Sequence, residues 1–161
     1  MRDQQSGATC VMKKILMPTK VTEREDCLQE AVLMTRLNHP HIVSCDDVFF
    51  EGQHLCIVMP FAAGGDVEKL LARYKDCRQD ISEDVVVDIL AQLALALEYM
   101  HSRKHPVMHR DIKAANIFLS PADQEGDAAN STTAGAAKRA PSSPAPPKFR
   151  VKLGDFGISR V

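Results

Sequence analysis

His109-Arg110-Asp111-Ile112-Lys113-Ala114-Ala115-Asn116, followed 39 positions after Asn116 by Asp155-Phe156-Gly157, is the stretch on which the reading of this chain turns. The second motif follows FRVKL (149–153), whose apolar residues alternate as a strand requires. NIFLS (116–120) reads as the strand it needs as partner. Between the two lies PADQEGDAANSTTAGAAKRAPSSPAPP (121–147), without one Val, Ile, Leu, Met, Cys or aromatic residue. Such a tract cannot bury enough surface to offset its ordering entropy, so its composition predicts a disordered insertion within a loop. Longer loops cost little, about 0.6 kcal/mol per doubling of length. Removing these 27 residues leaves 12 positions from Asn116 to Asp155, enough for a tight hairpin carrying the two motifs on neighbouring turns.

The two motifs together resemble the eukaryotic protein kinase family, whose catalytic loop reads H-R-D-x-K-x-x-N and whose magnesium loop reads D-F-G. Each residue alone has an ordinary explanation, a turn aspartate or a chance triplet; their order and spacing do not. Phosphoryl transfer asks for alignment and charge neutralisation more than for covalent chemistry. Asp111 suits the carboxylate that holds the incoming hydroxyl and accepts its proton. Asn116 and Asp155 offer the hard oxygen atoms that magnesium prefers. The resemblance implies that Lys113 touches the transferred phosphate, as in the serine/threonine branch.

The N-terminal part supports the same reading. CVMKKILMP (10–18) is a β-type run in which Val11, Lys13 and Ile15 share one face, while Lys14 points the other way. It resembles the kinase V-A-I-K strand, with Val11 over the adenine and Lys13 toward the phosphates. Residues 22–38 read as a helix with the stripe Cys27, Glu30, Ala31, Met34, Leu37. A carboxylate in such a stripe needs a cation, and Lys13 is the expected partner of Glu30. Residues 42–50 and 55–59 read as strands around a turn at Glu51-Gly52-Gln53. Met59-Pro60-Phe61-Ala62 then resembles a kinase hinge, with Met59 as gatekeeper. Pro60 has no N–H but keeps its carbonyl; Ala62 offers both groups to adenine. Phe118 completes the implied ATP pocket. Asp66 is placed to N-cap a helix over 67–75. Ser82 is placed to cap a helix over 83–102, apolar around much of its surface and so expected deep in a core.

The implied fold is α+β and protein-kinase-like, with two lobes, the second incomplete. A partial antiparallel N-lobe sheet with one helix occupies 1–59, a hinge 60–66, and the start of a helical C-lobe with the catalytic hairpin 67–161. LNHPHIV, IVMPFAAGGDV, HRDIKAANIFL and VKLGDFGISRV most resemble the NIMA-related serine/threonine kinases. The implied cofactors are ATP and magnesium, and the implied partners are proteins with Ser/Thr acceptors. No G-x-G-x-x-G precedes Lys13 and no A-P-E follows Val161. The expectation is therefore a piece of a kinase domain, inactive on its own. A second reading is a truncated, inactive nucleotide-binding or scaffold module.

The bulk properties fit a globular domain. The chain has 161 residues, 45% hydrophobic and 25% charged, with a formal net charge of −1. That balance offers no basic field for nucleic acid. No apolar run is long enough to span a membrane. Five cysteines without a C-x-x-C pair read as reduced thiols, which suggests the cytoplasm.

Overall fold

The alternating run around Lys13 forms an edge strand, β1 (Cys10–Leu16), of a three-stranded antiparallel sheet with β2 (Asp47–Glu51) and β3 (His54–Pro60). The strand order is β1-β3-β2. The computed structural model that shows this describes residues 1–2, 7–121 and 149–155. The central strand is the most apolar, and its Leu55, Cys56 and Ile57 are fully buried. Proline is tolerated at its end because Pro60 lies beyond the β2 pairing and faces only Cys10. β2 and β3 join through Gly52-Gln53, and the φ of +58° at Gly52 explains the glycine.

Helix α1 (Val21–Arg36) contributes Ala31 and Met34 to the core. The extended segment after it does not continue into β2, contrary to the strand expected over 42–50. The Val43 N–H donates to the Leu153 carbonyl at 2.9 Å, and the Leu153 N–H donates to the His41 carbonyl at 2.9 Å. Residues 41–43 are thus committed to a different sheet, and β2 can begin only at Asp47.

That second sheet is the hairpin of β4 (Ile117–Pro121) and β5 (Phe149–Leu153). Pro121, assigned above to the insertion, instead closes β4 opposite Phe149. The rest of the insertion, 122–147, lies outside the described residues, as do Phe156 and Gly157. Helix α2 (Val67–Asp76) starts where expected, with Asp66 Oδ1 accepting the Lys69 N–H at 2.8 Å. Helix α3 (Glu83–His101) follows Ser82, which occupies the N-cap position without a hydroxyl bond to the helix. Its carbonyl alone receives the Val85 and Val86 N–H groups.

Only one stripe of α3 is covered by the described residues: Val85, Ile89, Leu93, Ala96 and Met100. Val87 and Leu90 remain more than half exposed; the described residues cover one face of a helix whose composition asks for cover on several sides. The hairpin lies on one side of α3, and Gln92 fixes it there. The Gln92 amide accepts the Val151 N–H at 2.8 Å and donates to the Phe149 carbonyl at 3.1 Å, extending along the outer edge of β5 the pairing that residues 41–43 make at Leu153. Ile42, Leu55, Ile57, Leu119, Val151 and Leu153 complete one continuous core between α1 and α3. Each such side chain contributes roughly 1.5–3 kcal/mol on burial.

Candidate active site

The catalytic-loop residues converge through short hydrogen bonds. Asn116 is buried at the end of a single 3-10 turn, Ala114–Asn116, closed by its N–H on the Lys113 carbonyl at 2.9 Å. Its side-chain Nδ2 donates to the Asp111 carbonyl at 2.8 Å and to Asp111 Oδ2 at 3.0 Å. Both amide hydrogens are thereby used on Asp111, and the remaining function of the side chain is its carbonyl oxygen. The Lys113 ammonium also donates to Asp111 Oδ2, at 2.7 Å. This bond, with that from Asn116, holds the Asp111 carboxyl below its ordinary range. The Lys113 ammonium is raised by the same contact.

His109, part of the motif but given no role in the sequence reading, ties this loop to the second motif. It is buried, its Nδ1 accepts the Asp111 N–H at 3.3 Å, and its Nε2 lies 3.0 Å from the Gly154 carbonyl. A neutral ring protonated at Nε2 satisfies both bonds. Burial keeps its pKa below the ordinary value. The Gly154 N–H in turn donates to the Asn116 carbonyl at 3.0 Å. Gly154 is wedged: a Cβ there would lie 2.8 Å from Val43 Cγ2 and 3.0 Å from Phe118 Cε2.

Arg110 and Asp155 both have positive φ, 66° and 62°. Non-glycine residues in this region carry strain of order 1 kcal/mol, which persists where surrounding bonds over-determine the backbone. Here the two bracket the His109–Gly154 contact. Asp155 also meets Lys13: the ammonium lies 2.9 Å from Asp155 Oδ1. Lys14, on the opposite face of β1, pairs with Glu51. The side chain of Glu30 is outside the described residues, so its expected pairing with Lys13 is as well.

Beside this cluster is a mainly apolar cleft lined by Val11, Val43, Met59, Pro60, Ala62 and Phe118. Val11 and Met59 are direct cross-strand partners on β1 and β3. All five cleft residues named from sequence outside the phosphate end are therefore brought together: Val11, Met59, Pro60, Ala62 and Phe118. The Ala62 carbonyl accepts the Gly65 N–H at 3.1 Å, closing the turn after β3; one lone pair stays for another donor. Gly64 and Gly65 then pair with β4, through Gly64 N–H to Leu119 O and Leu119 N–H to Gly65 O, both at 2.8 Å.

Sequence reasoning gave no cleft role to Val43, Gly65, Asp66, Lys69, Ser120 and Lys152, which also line it. Asp66 was legible only as a helix cap. Burial would raise its pKa, but bonds from Lys69 hold it lower. Val43 and Lys152 carry no local signal, since the loop and hairpin holding them meet only in the folded chain.

The donor set fits a hard cation. The Asn116 carbonyl and the Asp155 carboxylate are oxygen ligands, and a magnesium site of this kind uses one or two protein groups together with phosphate. Among the described residues no cluster of three or more His, Cys, Asp or Glu side chains forms an all-protein metal cage.

The protein-family model described as protein kinase domain matches residues 1–161. The chain is 36% identical over 155 residues to human serine/threonine-protein kinase Nek5, covering 94% of this chain and 18% of that protein. It is 38% identical over 160 residues to mouse Nek5, covering 99% and 20%, and 33% identical over 144 residues to mouse Nek2, covering 86% and 27%. The chain thus spans well under a third of the length of these relatives. With a kinase-type sheet, hairpin and cleft already in place, this match carries the conclusion: the chain belongs to the protein kinase domain family and is similar to the Nek serine/threonine kinases.

Proposed function

We propose that the protein transfers the terminal phosphoryl group of ATP to serine or threonine hydroxyls of other proteins. The observation that carries the reading is the Asp111 carboxylate, held by Lys113 at 2.7 Å and Asn116 at 3.0 Å, in the loop hydrogen-bonded to the backbone beside Asp155. In this reading Asp111 orients the acceptor hydroxyl. A carboxylate is a weak base, so Asp111 would take the proton late, when bonding to phosphorus has made the hydroxyl acidic. The new O–P bond forms as the bond to the leaving diphosphate oxygen breaks. Lys113, bonded to the same carboxylate, would steady the moving phosphate next to the hydroxyl.

Lys13 would bind the inner phosphates, with Glu30 as its further partner. Val11, Met59 and Phe118 would enclose the adenine, and Pro60 and Ala62 would meet its edge through backbone groups. Asn116 and Asp155 would hold magnesium, which when bound neutralises phosphate charge. A division at 1–59, 60–66 and 67–161, with the insertion, from residue 122 on, carrying no catalytic group, accompanies this reading. The cysteines bear on location: all five are free, which accords with a reducing compartment such as the cytoplasm.

The test is Asp111→Asn in the protein that carries this domain. Turnover of a Ser/Thr substrate should fall about 10²–10⁴-fold, with Mg–ATP affinity nearly unchanged. Undiminished turnover would contradict the assignment.

A further inference from the structure

Away from the cleft, the C-terminal ends of α1 and α3 converge on a second cavity. Leu33 and Val107 supply its apolar wall; Arg36, Arg103, Lys104 and His105 supply the rest. Val107 is buried, whereas Arg36 and Lys104 are exposed. The cations come from separate elements: Arg36 ends α1, and Arg103 and Lys104 follow α3.

Arg103 is held in place before any ligand arrives. Its Nη1 donates to the Tyr99 hydroxyl at 2.6 Å, and its guanidinium carbon lies 5.1 Å from the Tyr99 ring centroid. That hydroxyl also accepts the Asn38 N–H at 3.1 Å, and the ring stacks on His39 with centroids 4.9 Å apart. A guanidinium fixed in this way loses less freedom on pairing. None of the ion pairs among the described residues involves Arg36, Arg103 or Lys104.

Helix dipoles explain a cation at each helix end but not this surplus. Two C-termini supply about −0.5 charge each, against a full positive charge on each of the three cations. The cavity keeps a net positive field that a doubly charged anion would neutralise. A phosphate monoester carries about −1.5 to −2 and three acceptor oxygens, matching three cationic donors better than a carboxylate does. The apolar wall asks for a side chain next to that phosphate.

We propose that this cavity docks a phosphoserine- or phosphothreonine-bearing segment of a partner protein, with an apolar residue beside the phosphate. A nucleic acid fits less well, because the cations line a single cavity and the chain has a net charge of −1. The proposal stands apart from the phosphoryl transfer above and needs no turnover to be tested.

The experiment is fluorescence anisotropy of the full chain with a short labelled peptide carrying phosphoserine followed by leucine. Parallel probes are the unphosphorylated peptide, its Ser→Glu twin and a single-stranded oligonucleotide. The phosphopeptide should bind, and Arg36→Glu or Lys104→Glu should each weaken it by about tenfold or more, with the thermal unfolding midpoint lowered by no more than about 2–4 °C. Tyr99→Phe, which keeps the ring but releases the Arg103 bond, should weaken binding less. Equal binding of the phosphorylated and Glu peptides, tighter binding of the oligonucleotide, or affinity indifferent to both charge reversals would each overturn the proposal.

Discussion

Lys13 and Asp155, 142 residues apart in sequence, meet at 2.9 Å and join the edge strand of the first sheet to the end of the second. Both side chains are substantially exposed, 34% and 48%, so water screens the pair. Lys13→Met should therefore change folding stability by no more than about 1 kcal/mol. Its effect belongs to the nucleotide, where a cation facing phosphate is worth about tenfold or more in affinity. Denaturant unfolding and Mg–ATP titration on the same variant separate the two. A large stability loss with unaltered nucleotide affinity would show that the contact is architectural.

Asp155→Asn makes a contrasting prediction to Asp111→Asn. In the proposed function Asp155 holds magnesium and Asp111 faces the hydroxyl, so the first substitution should weaken Mg–ATP binding and the second should not. Nucleotide titration of both variants in parallel decides it, and equal losses would refute the division of roles.

The buried His109 gives a pH dependence with a definite sign. Burial puts its folded pKa below the ordinary 6.5. Above 6.5 the ring is neutral in both states and its contribution to stability is complete. As pH falls below that value the unfolded chain takes up a proton that the folded chain refuses, so stability declines until the folded pKa is passed. His109→Gln can still bridge Asp111 and Gly154 but cannot titrate. Urea unfolding at about pH 7.5 and about pH 5.5 should show a smaller decline for the variant than for the parent. His39, also lowered by burial, is present in both and cancels in the comparison. Equal declines would show that His109 is not the titrating group.

The two wedged glycines rank in a predictable order. At Gly154 a methyl would press on side-chain atoms of Val43 and Phe118, whereas at Gly64 it would lie 2.5 Å from the backbone oxygen of Leu119. Side chains can shift, but a strand carbonyl already bonded to Gly64 cannot. Gly154→Ala should cost about 1–3 kcal/mol, partly recovered by adding Val43→Ala, and Gly64→Ala should cost more. Thermal unfolding of the three variants checks the order.

What the sequence made legible was local or motif-borne. The β1 alternation, the Asp66 cap and the hairpin strands follow from neighbours in the chain, and the cleft residues follow from motif resemblance. The clamp from Gln92 to β5, the pairing of Val43 with Leu153 and the link from His109 to Gly154 join segments 45 to 110 residues apart, and no local pattern announces them. The reading of α3 was limited in another way. Composition showed how much of the helix is apolar but not which side its neighbours would reach, and among the described residues the packing buries the Val85–Met100 stripe. Ser82 failed because a capping residue type in a capping position still has to turn its hydroxyl inward.

The hairpin register makes the last prediction specific. Pro121 and Phe149 face each other directly as the final pair of β4 and β5. A two-residue connection between facing partners is the geometry of a tight hairpin turn, which Asn-Gly favours because both central positions need positive φ. Replacing 122–148 by Asn-Gly should therefore leave the Leu119–Val151 pairing and the Gln92 clamp undisturbed. Shortening the connection to two residues removes between three and four doublings of loop length, so the variant should gain up to about 2 kcal/mol. Denaturant unfolding measures the gain, and a phosphotransfer assay on the protein carrying the same replacement tests whether the insertion contributes to catalysis. Undiminished activity with equal or higher stability is expected. A loss of either would mean that the connection does more than join two strands.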